Sequence, residues 1–199
     1  MPTSQDDPPL TEMLRALTET IGTRERVFLG ELIDALGARG YGPVILLAAA
    51  MTLLPTGMIP GVPAFMGVIL MLTGVEMLRG RRGLWLPPRL YGITLPGPAL
   101  LRGIHRAEPT VRRLERHIRA RLQFLITWRI SLWSIAAILI VTSGVMIVIG
   151  AIPGLPFVLA LHLLAFGLGL TAGDGLFVVA GYAIFVPAAA LAAYLAGIL

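Results

Sequence analysis

The sequence predicts an all-α fold: a polytopic helical membrane protein with two broken-helix repeats, amphipathic N-terminal helices and a basic interfacial helix. Three observations carry that expectation. Of 199 residues, 56% are hydrophobic and 14% charged, with a mean hydropathy of +0.83, whereas soluble domains carry about 25% charged residues. The shortage of charge is local: from Ile130 to Leu199 there is no Lys, Arg or Glu, and Asp174 is the single acid. A soluble domain would have little to show water there. Between these extremes, residues 79–129 hold twelve Arg against Glu108 and Glu115, a net of +10. Such a loop stays cytoplasmic by the positive-inside rule.

The elements follow in order. Residues 1–9, acidic and Pro-rich, read as a disordered arm. No apolar run stands behind them, so no signal peptide is expected and the N-terminus stays in the cytoplasm. Residues 10–40 carry two amphipathic helices. Leu10, Met13, Leu14, Leu17 and Ile21 recur at helical spacing, then Leu29, Leu32, Ile33 and Leu36, with Gly37 and Gly40 as stops. Residues 41–80 form a first membrane unit of two apolar runs, Tyr41 to Met58 and Val62 to Leu78. About 18 residues reach about 27 Å against a hydrocarbon core of roughly 30 Å, so this pair either spans thinly or re-enters, and spanning is favoured. In the basic segment 81–129, Val111, Leu114, Ile118, Leu122 and Leu125 step by 3, 4, 4 and 3. Arg112, Arg113, Arg116 and Arg119 fall on the other side, which predicts an interfacial helix that meets anionic lipid headgroups. Residues 130–199 add three apolar runs: Ile130 to Ile152, Leu155 to Thr171 and Leu176 to Leu199. Trp85, Trp128 and Trp133 sit at run ends, where tryptophan anchors to the interface.

Aligned with itself at an offset of 93 residues, the chain repeats. Gly57-Met58-Ile59-Pro60-Gly61-Val62-Pro63 meets Gly150-Ala151-Ile152-Pro153-Gly154-Leu155-Pro156, with five of seven positions identical. Gly74 meets Gly167 and Gly80 meets Gly173 in the same register. Each unit is a helix, a Pro-Gly-x-Pro break and a second helix. Proline removes backbone donors and glycine allows the turn. Pro60, Gly61, Pro63, Pro153, Gly154 and Pro156 therefore mark either tight turns at the membrane surface or paired breaks that build a transport site. The expected topology puts both breaks toward the periplasm.

The chain resembles the bacterial ExoD family, named for exopolysaccharide synthesis. The likeness runs from about Arg26 to Leu199. It rests on Leu29-Gly30-Glu31-Leu32, Gly40-Tyr41-Gly42-Pro43, the Pro-rich break, Gly80-Arg81-Arg82-Gly83-Leu84-Trp85-Leu86-Pro87 and the Gly-Asp-Gly at 173–175. The resemblance implies a role in exopolysaccharide production and alkali tolerance. It supplies no catalytic residue.

Three titrating groups lie in or beside the apolar runs, each with two readings. Glu76, three residues before Arg79, is a snorkelling ion pair or a group in a conduction path. His162 sits mid-run, where a neutral imidazole needs a partner; it is a proton relay or a buried, bonded histidine. Asp174 caps the last helix or faces a pathway. The chain has no cysteine, phosphate-binding loop or zinc motif. No enzyme, cofactor or metal is expected. The expected partners are anionic membrane lipids and proteins of envelope or exopolysaccharide assembly, not nucleic acid, with a homodimer allowed. The expected place is the bacterial inner membrane, crossed several times. The function that follows is a non-enzymatic accessory role in exopolysaccharide or envelope production; a small transporter or proton pathway is the alternative.

Overall fold

A computed structural model describes residues 8–37, 40–53, 61–80, 87–119, 121–149 and 155–195. About 83% of it is helical. Helix α1 (Pro9–Ile21) opens with Pro at its first turn, where the missing N–H costs nothing. It buries Leu10, Met13, Leu17 and Ile21 and stops at Gly22, whose φ is 54°. Strand β1 (Arg26–Phe28) leads into α2 (Leu29–Gly37), and the two amphipathic helices expected within residues 10–40 lie where their apolar spacing places them. β1 pairs antiparallel with β2 (Thr94–Pro96), Val27 opposite Leu95. Two three-residue strands, with four helices between them in the chain, are too short to leave an alternating pattern, so this ladder is not readable from the sequence.

Helix α3 (Tyr41–Leu53) is apolar on all sides, and none of its residues is exposed. Its 13 residues rise about 20 Å, short of a bilayer core. Helix α4 (Val62–Arg79) starts after Gly61 at φ 93° and ends on Gly80 at φ 67°. The short α5 (Pro88–Tyr91) precedes β2 and α6 (Gly97–Glu115). Then come α7 (Phe124–Thr127), α8 (Arg129–Ile149), α9 (Leu155–Ala172) and α10 (Gly175–Leu195). Among the described residues two stretches, Val62–Arg79 and Arg129–Val148, are long and apolar enough to cross a membrane.

The core forms by crossed pairing. α4 packs along α8 and α3 along α9, while α10 lies against α9. Glycines let the backbones close. A Cβ on Gly74 of α4 would stand 2.9 Å from the Ala136 carbonyl and 3.3 Å from Leu139 Cβ of α8. On Gly167 of α9 it would stand 2.6 Å from the Leu46 nitrogen of α3. Gly74 and Gly167 are 93 residues apart, as are Leu46 and Leu139. α4 and α9 share that offset at both ends, both are 18 residues long, and each is followed by a glycine with φ near 70°, Gly80 at 67° and Gly173 at 70°.

The basic segment departs from expectation. The helix over Val111 to Leu125 is not formed; α6 begins fourteen residues earlier and ends at Glu115. Its apolar stripe is Leu100, Ile104, Ala107, Val111 and Leu114. The break after Glu115 is tertiary. The Arg119 N–H donates to Asp174, the Arg121 carbonyl accepts from Gly175 N–H, and Leu122 takes φ 48°. Those backbone groups are engaged by the α9–α10 junction and cannot continue a helix.

Candidate functional site

The titrating groups of the apolar helices each sit in their own setting. His162 of α9 is 2% exposed, and its Nε2 lies 3.0 Å from Thr142 Oγ1 of α8. Aromatic rings close round it: Phe166 meets it edge-on with centroids 6.1 Å apart, and Phe185 of α10 lies 5.2 Å away. Hydrocarbon surroundings make an unpartnered imidazole costly, and threonine supplies the partner from the facing helix. Beside Thr142, the Ser143 hydroxyl is buried with no hydrogen-bond partner among the described residues.

Glu76 is 2% exposed near the end of α4, and Arg79 Nη1 reaches its Oε1 at 3.0 Å. The Arg79 side chain is 59% exposed, so the guanidinium reaches outward while its partner stays inside. Tyr41 of α3 donates its hydroxyl to the Glu76 carbonyl at 3.2 Å. Arg79 also lies in the last turn of α4, where the helix dipole favours a cation.

Asp174 is 1% exposed and accepts two backbone N–H bonds. Its Oδ1 takes Leu176 N–H at 3.0 Å, which caps α10, and its Oδ2 takes Arg119 N–H at 3.1 Å. Gly175 N–H donates to the Arg121 carbonyl at 2.8 Å, and a Cβ on Gly175 would stand 2.4 Å from the Leu122 carbonyl. The Gly-Asp-Gly turn thus fastens the end of the basic segment to the start of α10. Among the described residues no hydrogen bond or ion pair joins Glu76, His162 and Asp174 to one another.

Of the two Pro-Gly-x-Pro breaks, Pro60, Pro153 and Gly154 lie outside the described residues. Gly61 stands immediately before α4, with Pro63 in its first turn, and Pro156 stands in the first turn of α9.

The feature that the sequence did not announce is built by α1 and α6. They run antiparallel, clamped at both ends. Thr11 donates its N–H and its hydroxyl to the Glu115 carboxylate at 2.7 and 2.5 Å. At the far end, Gly97 N–H donates to the Glu25 carbonyl at 2.9 Å. Both helices turn apolar faces inward over α3, α4 and α9, and between them lies a cavity of about 780 Å³. Met13, Leu17, Met51, Phe65, Ile104 and Leu168 represent its walls. Thr110 alone among the described lining residues has a polar side chain. Outward, α6 shows charge: Arg102, Arg106, Arg112 and Arg113 are exposed, as are Arg116 and Arg119 beyond its end. Arg112 is bound to Glu108 at 2.7 Å.

The profile of the family described as "Exopolysaccharide synthesis, ExoD" matches residues 10–194. Protein ExoD of Rhizobium meliloti (strain 1021) is 29% identical over 161 residues, covering 78% of this chain and 65% of that protein. The chain therefore spans less than two-thirds of that relative's length. No solved structure matches. The family match takes in nearly every element described above, from α1 to α10, and the chain belongs to the ExoD family.

Proposed function

We propose that the protein is a non-enzymatic, multi-pass component of the bacterial inner membrane that assists exopolysaccharide or envelope production and meets anionic lipid through its Arg-rich segment. The observation that carries the membrane part is the outer face of α8. Ile130, Trp133, Ala137, Val141, Val145 and Val148 recur at helical spacing and are all exposed, Val148 at 82%. From Ile130 to Val148 that stripe rises about 27 Å, close to the depth of a hydrocarbon core. An apolar stripe of this length left open is the mark of a lipid or protein contact. Even the Ser134 hydroxyl on that face is satisfied internally, by the Ile130 carbonyl at 2.9 Å. At one end stand Trp128, 59% exposed, and Arg129, whose guanidinium lies 5.3 Å from the Trp133 ring centre. Aromatic and basic residues together suit the headgroup level.

The headgroup contact rests on Arg112, Arg113, Arg116 and Arg119, all exposed. Each Arg near an anionic surface is worth about 1 kcal/mol, less with added salt. Arg112 already has Glu108, so it contributes least. A gene duplication accounts for the 93-residue register; the crossed pairs α3–α9 and α4–α8, with Gly74 on Leu139 and Gly167 on Leu46, support it. The transport reading takes second place, because Glu76, His162 and Asp174 have separate partners rather than one shared polar surface. The exopolysaccharide role comes from the family. A strain lacking the gene should make less exopolysaccharide. The wild-type gene should restore the yield, and the variant with all four arginines changed to Gln should not. Normal yield without the gene would remove the role.

A further inference from the structure

The roofed cavity between α1, α6 and the core helices has dimensions and chemistry of its own. Its volume of about 780 Å³ falls within the roughly 300–1,000 Å³ of small-molecule sites. Its lining excludes most occupants. A peptide would bring backbone N–H and C=O groups, and a sugar its hydroxyls, into walls whose described residues offer one threonine hydroxyl. A hydrocarbon chain brings no such groups.

The position of the mouth specifies the rest. Thr110, Gly61 and Pro96 line the cavity and are themselves exposed, so it reaches the outside at those points. Pro96 faces a single cation, Arg26, across the β1–β2 pair, whereas Thr110 has two on its own helix: Arg106 stands four residues before it and Arg113 three after, both exposed. Residues at those spacings share one edge of a helix. The opposite edge of α6 is closed by α1, where Glu115 holds Thr11. The open edge of the roof is thus apolar inside and doubly cationic outside.

We infer that this cavity takes one acyl chain of an anionic phospholipid, with the phosphate held at the mouth by Arg106 and Arg113. α1 and α6 form the roof over the chain. The inference rests on the lipid-contact reading above and deepens it from a surface to a site. It also fails separately: polysaccharide yield reports on the former, lipid retained by the purified protein on the latter.

The test uses the full-length chain, purified in detergent, washed, and examined by native mass spectrometry with phosphatidylglycerol or phosphatidylcholine added back. The wild type should hold a single phosphatidylglycerol through washing. Ala107→Trp, which fills the cavity from the roof, should lose it, and Gly103→Leu should do the same from the next turn; circular dichroism checks that each variant keeps its helix content. Arg106→Gln with Arg113→Gln should keep a lipid but lose the preference for phosphatidylglycerol over phosphatidylcholine. Wild-type protein carrying detergent only, or retention unchanged in a folded Ala107→Trp or Gly103→Leu, would overturn the site. A retained polyprenyl phosphate in place of phospholipid would overturn the choice of occupant.

Discussion

Replacing Gly167 with Ala sets two opposite effects against each other. Alanine in place of glycine inside a helix gains about 0.5–1 kcal/mol in propensity and chain entropy. At Gly167 the new Cβ would stand 2.6 Å from the Leu46 nitrogen and 2.8 Å from its Cα. That is roughly 1 Å inside the ~3.5–4.0 Å of a good carbon contact. The opposing atoms are backbone, so α3 and α9 must part. Overpacking costs about 1–3 kcal/mol, so after the propensity gain the net is a loss of up to about 2.5 kcal/mol. For a chain of this size that lowers the melting midpoint by up to about 10 °C. Gly144→Ala provides the contrast. Its Cβ would find only Met71 Cε, at 3.8 Å, so the propensity gain stands alone and the midpoint should rise by about 1–4 °C. Gly74→Ala, at 2.9 Å from the Ala136 carbonyl and from Ile140 Cγ1, should fall between them. Thermal unfolding of the detergent-solubilised variants gives the order. A Gly167→Ala protein as stable as Gly144→Ala would refute the close α3–α9 contact and, with it, the crossed pairing.

Three further outcomes follow from particular contacts. Asp174→Ala removes the α10 cap, worth about 0.5–2 kcal/mol, and frees the Arg119 N–H, so trypsin should cut faster at Arg119 and Arg121; an unchanged cleavage rate would mean that the turn does not hold the segment. Cysteines introduced as Leu90→Cys and His105→Cys, in a chain that has none of its own, should resist a membrane-impermeant reagent in intact cells, and ready labelling would invert the topology. Tyr91 donates its hydroxyl to Asp34 at 2.5 Å, and that bond, with burial and nearby carboxylates behind it, raises its pKa above the usual 10.0. The raised value means that the contact stabilises the fold in full below pH 10.0 and is lost as pH climbs through the folded-state value. Tyr91→Phe should therefore lower the melting midpoint at neutral pH and converge with the wild type at strongly alkaline pH, and a constant gap at all pH values would exclude Tyr91 as the titrating group.

The parts of this molecule legible in the sequence are those written in local chemistry. Apolar runs bounded by Gly and Pro mark α4, α8, α9 and α10 to within a few residues, and the offset of 93 predicts where α9 begins and ends given α4. The spacing of Leu10, Met13 and Leu17 gives α1. What could not be read depends on distant groups. The helix expected over Val111 to Leu125 has a good stripe, but Asp174 and Gly175 claim the backbone at Arg119 and Arg121, and neither is local. The partner of His162 is a threonine twenty residues away, one of several hydroxyls on α8 that sequence alone does not rank. The cavity is invisible because its walls are ordinary leucines and methionines; the clamps at Thr11–Glu115 and Glu25–Gly97, with the β1–β2 ladder beside the second, set two amphipathic helices side by side and leave space beneath them. The pattern that makes α6 amphipathic is the same whether its apolar face meets lipid, a packed core or a cavity.

By this proposal the chain sits in a bilayer with its Arg-rich segment among anionic headgroups, and the protein carries its own reporters of that placement. Trp128 and Trp133 are 59% and 46% exposed at the start of α8, beside Arg129. In a Trp85→Phe background, which removes the third tryptophan of the chain, and in vesicles containing a fixed share of brominated lipid, their fluorescence should be quenched. Brominated phosphatidylglycerol should quench more strongly than brominated phosphatidylcholine at equal content, and added salt should shrink the difference as the charges are screened. Equal quenching by the two lipids would contradict the anionic headgroup contact, and no quenching by either would contradict the embedding of α8 in the membrane.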